Sequence, residues 1–307
     1  MGNNTKLIIS DSDLEILLPV GIVVSTIAII CLLTRLILQF ISPVFETKTM
    51  KLQFNLCLAI FISFVVFSIG MSSLQLDTEY VCVTVTIFDH YSLLASLVWV
   101  NILPANIYRR LVISPNVRAN RTADWSAINN EMFIGWSAPA VAIAIALAME
   151  YIDEIPRKYK QEYGKDVCWI QVVSPDKWII YLPFLMTIIV NLILFVLICI
   201  KLKRSFAKRN KNVAVEKNYT LTYVKLFLMM GMKNFLLLLT PFFNHVLLWM
   251  ALMAVFATYG IYVSVKPILK REVYDSLFHD KSSSTSGMAE RRNAYPQIND
   301  STRNTRF

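Results

Sequence analysis

The sequence predicts an all-α membrane protein, a seven-transmembrane helix bundle with an interfacial helix after the last span. Composition is the first observation behind this. Of 307 residues, 56% are hydrophobic and 17% charged, against the quarter or so that soluble domains carry. The second is seven apolar runs, at roughly 16–39, 50–73, 79–108, 131–151, 177–200, 221–240 and 245–265. At 1.5 Å rise per residue such runs match a hydrocarbon core of about 30 Å. The third is where the polar residues fall. Basic side chains cluster between the runs, and a small set of amides and charges lies inside them. The net charge of +9 is thereby assigned to loops at an anionic leaflet, and no nucleic-acid partner is expected.

In chain order, residues 1–15 form a short polar segment expected outside the cell, with a glycosylation sequon at Asn3. It has neither the basic start nor the small-residue cleavage site of a signal peptide, and fifteen residues are too few for an extracellular domain. Residues 16–265 hold the seven spans. The last two are parted at 240–244, where Pro241 should end a helix. Residues 266–278 alternate Ile268, Leu269, Val273, Leu277 and Phe278 with Lys270, Arg271, Glu272 and Asp275, the pattern of a helix lying in the membrane interface. Residues 279–307 are polar and expected to be disordered. Their final Thr305-Arg306-Phe307 fits a PDZ-type carboxylate ligand.

Basic residues set the expected orientation. With the amino terminus outside, the inner segments hold Arg35, Lys48, Lys51, Arg109, Arg110, Arg118 and Arg121. The third inner loop adds Lys201, Lys203, Arg204, Lys208, Arg209, Lys211 and Lys217, and the tail eight more. Outside stand Lys6, Arg157, Lys158, Lys160, Lys165 and Lys177. The skew places the carboxyl terminus in the cytoplasm. Arg109, Arg110, Lys203, Arg204, Lys208 and Arg209 then line the inner face.

Polar residues inside the spans mark the core. The third span carries Asp89, His90, Asn101 and Asn106. Buried polar groups in hydrocarbon face a protein interior, so this span should be a central helix wrapped by others. Asn55, Asn101, Asn106 and Asn191 should form interhelical hydrogen bonds. Lys233 lies about 18 Å from the inner start of the sixth span, beside Asn234, and Asp89 about 13 Å below the outer face. Their depths nearly coincide, and an unpaired Lys there would cost about 3 kcal/mol. Two readings stay open: an Asp89–Lys233 ion pair with His90 nearby, or a Lys233 that snorkels to the interface or belongs to a differently placed span. Of five cysteines, Cys31, Cys57 and Cys199 sit in apolar runs as inert thiols. Cys82 and Cys168 both fall on the oxidising side, where a disulfide would tie the second outer loop over the bundle mouth.

These residues resemble the secretin/adhesion class (class B) of G-protein-coupled receptors, and among them most resemble the methuselah-like receptors. The resemblance runs over about 50–275 and is carried by six motifs in order. They are Asn55-Leu56; His90, Tyr91, Leu94, Ala95, Trp99, Asn101 and Ile107; and Gly135-Trp136 with Pro139. After them come Cys168-Trp169, then Tyr181-Leu182-Pro183 with Asn191, and finally Lys225-Leu226-Phe227 with Met230-Gly231. Departures stand beside them. Asn234 replaces the usual Trp of the sixth helix and Tyr259 the usual Gln of the seventh. Gln53 and Leu103 stand where secretin-type receptors carry His and Glu.

The resemblance implies a plasma-membrane receptor that takes an extracellular ligand and activates a heterotrimeric G protein. Membrane lipids are further partners. A non-coupling scaffold or decoy is the alternative that the departures favour. A small-molecule transporter would show inverted repeats and Gly/Pro-broken helix pairs, which the sequence lacks. His90, His245 and His279 lack metal spacing, and no Ser-His-Asp set, phosphate loop or paired carboxylates occur. Neither a cofactor nor an enzyme activity is expected.

Overall fold

The computed structural model describes residues 11–41, 47–73, 79–113, 128–156, 159–161, 163–164, 168, 178–207, 235–236, 239 and 246–268. Among them lie six long helices: α1 (Asp11–Ile41), α2 (Lys48–Ser73), α3 (Glu79–Ile113), α4 (Asn129–Tyr151), α5 (Trp178–Ala207) and α6 (Val246–Ile268). The first five are long and apolar enough to cross a membrane, and α6 holds a shorter apolar stretch, Met250–Val265. They correspond to the first five predicted spans and the seventh. The sixth span, 221–240, lies outside the described residues except for 235–236 and 239.

Hydrocarbon supplies no water to the backbone, so an apolar segment must satisfy its own N–H and C=O groups, and the helix does this. Hydroxyls follow the same rule. Thr26, Thr34, Thr84, Thr86, Ser137 and Thr258 each donate to the carbonyl four residues earlier, which lets them sit in an apolar medium without an outside partner. Pro19, Pro104, Pro139 and Pro183 all lie within helices. The last helix continues through Pro267 to Ile268, so residues 266–268, expected to open the interfacial helix, extend the span instead. The rest of 266–278 lies outside the described residues.

Helix α1 packs on α2 and α6, α2 on α3, and α3 on both α4 and α5. The contacts alternate direction along the chain. Gly21 near the start of α1 meets Met71 at the end of α2 and Met253 near the start of α6. Half of the α2 and α3 spans is buried, against 22% of those of α4 and α5, so α2 and α3 are the most buried of the five described spans. Leu32, Leu56, Ile60, Phe64, Leu94, Trp99, Tyr259 and Val263 meet in the core, with Phe64 and Phe256 stacked at 4.4 Å between centroids. Outward faces of α4 and α5 carry exposed Phe133, Ile145, Leu182, Met186, Leu192 and Val196, the pattern of lipid-facing surface.

Two residues counted above as inner-loop charges sit elsewhere. Arg35 is fully buried in α1, donating from Nη1 to Gln39 Oε1 at 3.0 Å, and Lys51 is buried in α2. Both lie inside the predicted runs 16–39 and 50–73, on the buried faces of their helices, and belong to the core. The basic skew survives without them. Cys57 is buried, but Cys199 is exposed on α5 rather than buried.

Candidate functional site

The bundle carries polar clusters at three levels, all anchored on α3. At the end where α3 begins, Cys82 and Cys168 form the expected disulfide, with Cα atoms 4.5 Å apart. It fastens the α4–α5 connection to α3. Gly164 adopts φ +68°, and a Cβ there would lie 2.6 Å from the Val83 backbone nitrogen. Only glycine allows that approach in that conformation. A Cβ on Gly70 of α2 would collide with the Cys168 carbonyl oxygen, so the connection rests on α2 as well. Glu150, near the end of α4, accepts the Gln161 backbone N–H at 2.9 Å on Oε2, and its own carbonyl accepts Lys160 Nζ at 2.9 Å.

Held this way, the connection points Tyr163 inward. Its hydroxyl lies 2.9 Å from His90 Nδ1, with the rings 5.9 Å apart and tilted by 39°. Both side chains are buried. Burial pushes the Tyr163 phenol well above its ordinary value, because an anion there would lose its hydration. Asp89 is buried beside His90. Lys233 and Asn234 lie outside the described residues, and with them the Asp89–Lys233 pair. Asn3, Lys208, Arg209 and Trp169 lie outside as well.

The middle level joins four helices. Trp136 Nε1 of α4 donates to Asn55 Oδ1 of α2 at 3.1 Å, and Tyr91 of α3 donates to the Trp136 carbonyl at 3.1 Å. Trp99 stands edge-on to Trp136 at 5.9 Å and lies over Gly135, where a Cβ would strike its indole. Asn191 of α5 donates to Asn101 Oδ1 at 2.8 Å, and Asn101 to Thr187 Oγ1 at 3.2 Å. Each asparagine also donates to a carbonyl of its own helix.

At the far end, Glu131 Oε1 of α4 accepts both Lys48 Nζ of α2 and Asn106 Nδ2 of α3, each at 2.8 Å. A carboxylate in the first turn of α4 also suits the positive end of the helix dipole. Gln53, at a departure position, donates to the Val263 carbonyl of α6 at 3.4 Å. Tyr259 and Leu103, two other departures, are buried. Arg109 is exposed here, Arg110 follows it in α3, and Lys203 and Arg204 lie in the last turns of α5.

The sequence singles out the asparagines, the disulfide, His90 and Gln53, though not the partner of Gln53. It does not single out Tyr163, Glu131 or the burial of Arg35. The signal for Arg35 was present, since Ala28, Leu32, Arg35, Leu36 and Gln39 recur at helical spacing on one buried face. Among the described residues no group of His, Cys, Asp and Glu could hold a metal ion.

A bundle of apolar helices with a polar interior and a cystine-fastened connection at one end is the build of a transmembrane receptor. The family model of the seven-transmembrane receptors of the secretin family matches residues 11–263, and the chain belongs to that family. It is 25% identical over 213 residues to human adhesion G protein-coupled receptor E3, covering 68% of this chain and 30% of that protein. It is 26% identical over 189 residues to human cadherin EGF LAG seven-pass G-type receptor 3, covering 61% and 5%. To Danio rerio adhesion G protein-coupled receptor L4 it is 26% identical over 207 residues, covering 64% and 25%. The chain thus spans less than a third of the length of these relatives.

Proposed function

We propose that the chain transmits an extracellular signal across the plasma membrane to a heterotrimeric G protein, as a methuselah-like member of its family. In this reading the disulfide end faces outside and receives the ligand, and the carboxyl terminus is cytoplasmic. Arg109, Arg110, Lys203, Arg204, Lys208 and Arg209 border the G protein, and lipids contact the basic inner loops. A PDZ protein at Thr305-Arg306-Phe307 and glycosylation at Asn3 complete the proposal.

The observation that carries it is the disulfide, with the α4–α5 connection folded onto α3. Disulfides persist on the oxidising side of a membrane, and among the described residues Lys48, Arg109, Arg110, Lys203 and Arg204 lie in the helix ends away from it. The Asp89–Lys233 pair is proposed as an inactive-state lock, which movement of the sixth span would have to break. G-protein activation in cells expressing the chain, with and without Lys233→Ala, tests both parts. Raised basal activation in the variant is expected. Silence of both under every stimulus would overturn coupling and favour a receptor-like scaffold.

A further inference from the structure

The contact between Tyr163 and His90 uses an extracellular side chain as a guest inside the bundle. Along α3, His90 lies about two turns from Cys82, and the Tyr163 side chain meets it there from the loop. The loop is clamped on both sides of the tyrosine. Before it, Gln161 is tied to Glu150, and after it Gly164 presses its backbone on Val83, with the disulfide to Cys82 beyond. The phenol is thereby held at His90 Nδ1 with its ring buried.

His90 is 1% exposed, and its other nitrogen, Nε2, has no hydrogen-bond partner among the described residues. When the phenol donates to Nδ1, a neutral imidazole carries its proton on Nε2, a buried donor that Tyr163 leaves unanswered. Buried polar groups in folded proteins are nearly all paired. The site is thus complementary to an aromatic hydroxyl, with one polar point more than its resident fills.

We propose that this niche is a recognition site for a hydroxyl-bearing aromatic ring, filled at rest by the chain's own Tyr163 and open to an external phenol when that side chain swings out. A second polar substituent that reaches Nε2 would let the external group outbid the tyrosine. The inference rests on the receptor reading above, which makes this end the one a ligand enters.

The test uses the full chain in lipid nanodiscs, with phenol and toluene as probes and thermal unfolding as readout. Tyr163→Ala is expected to lower the midpoint. Phenol should restore it saturably, at a concentration about tenfold below that of toluene, the discrimination of one buried hydrogen bond. His90→Leu in the same background should erase the preference, and the unaltered chain should respond to neither probe. Equal responses to phenol and toluene, or a preference that survives His90→Leu, would overturn the proposal. Tyr163→Leu, which keeps more apolar volume, serves if Tyr163→Ala does not fold. Binding is read without any G protein, so failure here is distinct from failure of coupling.

Discussion

Gly135→Ala sets two known effects against each other. Replacing Gly by Ala inside a helix ordinarily stabilises it by about 1 kcal/mol. At Gly135, however, the added Cβ would strike the Trp99 indole, nearest Cε2 and Cζ2. That ring cannot swing aside. It is fully buried and packed edge-on against Trp136. Helices α3 and α4 would have to separate, and overpacking of this kind costs about 1–3 kcal/mol.

Because the Cβ would strike two indole carbons at once, the upper part of that range, about 2–3 kcal/mol, applies, and the clash should win with a net loss of about 1–2 kcal/mol. In a bundle of this size that lowers the unfolding midpoint by about 2–8 °C. Thermal unfolding of the purified receptor, followed by tryptophan fluorescence, reads it. Trp99→Phe should recover part of the loss in the Gly135→Ala background while destabilising the parent, a coupling that distant sites do not show. A Gly135→Ala variant as stable as the parent would refute the packing argument, as would strict additivity.

Reduction of the disulfide, or Cys82→Ser with Cys168→Ser, should cost about 2–4 kcal/mol and free the α4–α5 connection, read as a lower midpoint in reductant and faster proteolysis of that segment. Asn101→Ala and Asn191→Ala should each cost about 1 kcal/mol, and the pair together less than their sum, because each loses the bond the other provides; a thermal double-mutant cycle checks this. Glu131→Gln should cost no more than about 1 kcal/mol, since the pair with Lys48 is partly exposed and salt-screened, and high salt should narrow the difference from the parent. At high pH, stability should fall as the Tyr163 phenol, protonated in the fold, ionises in the unfolded chain. Its folded value is raised, so this contribution is lost above about pH 10. Titration of Tyr163→Phe beside the parent should show a shallower fall.

The spans among the described residues were legible because hydrocarbon enforces a simple rule, and Leu, Ile, Val and Phe obey it in long runs. The asparagines were legible for the converse reason, since an amide in such a run must find a partner. What the sequence does not show is which partner. Asn55 pairs with Trp136, eighty-one residues away, and Tyr163 with His90 at seventy-three. No local pattern encodes those distances. Tyr163 sits in a polar stretch that reads as loop, and only the fastening of that loop makes it part of the interior. Arg35 was misread because a charge near the end of an apolar run looks like a loop charge until the helical face is drawn.

Gly70 has a consequence for how force travels through this molecule. The Cys168 carbonyl occupies the space that any side chain at position 70 would need, and the same residue is bonded to Cys82. The cystine is therefore a rivet seated against a second plate, with no slack. A tug on that connection, from a tethered partner or an antibody, would load α2 and α3 at once. A single methyl at position 70 would pry the joint open without touching either sulfur.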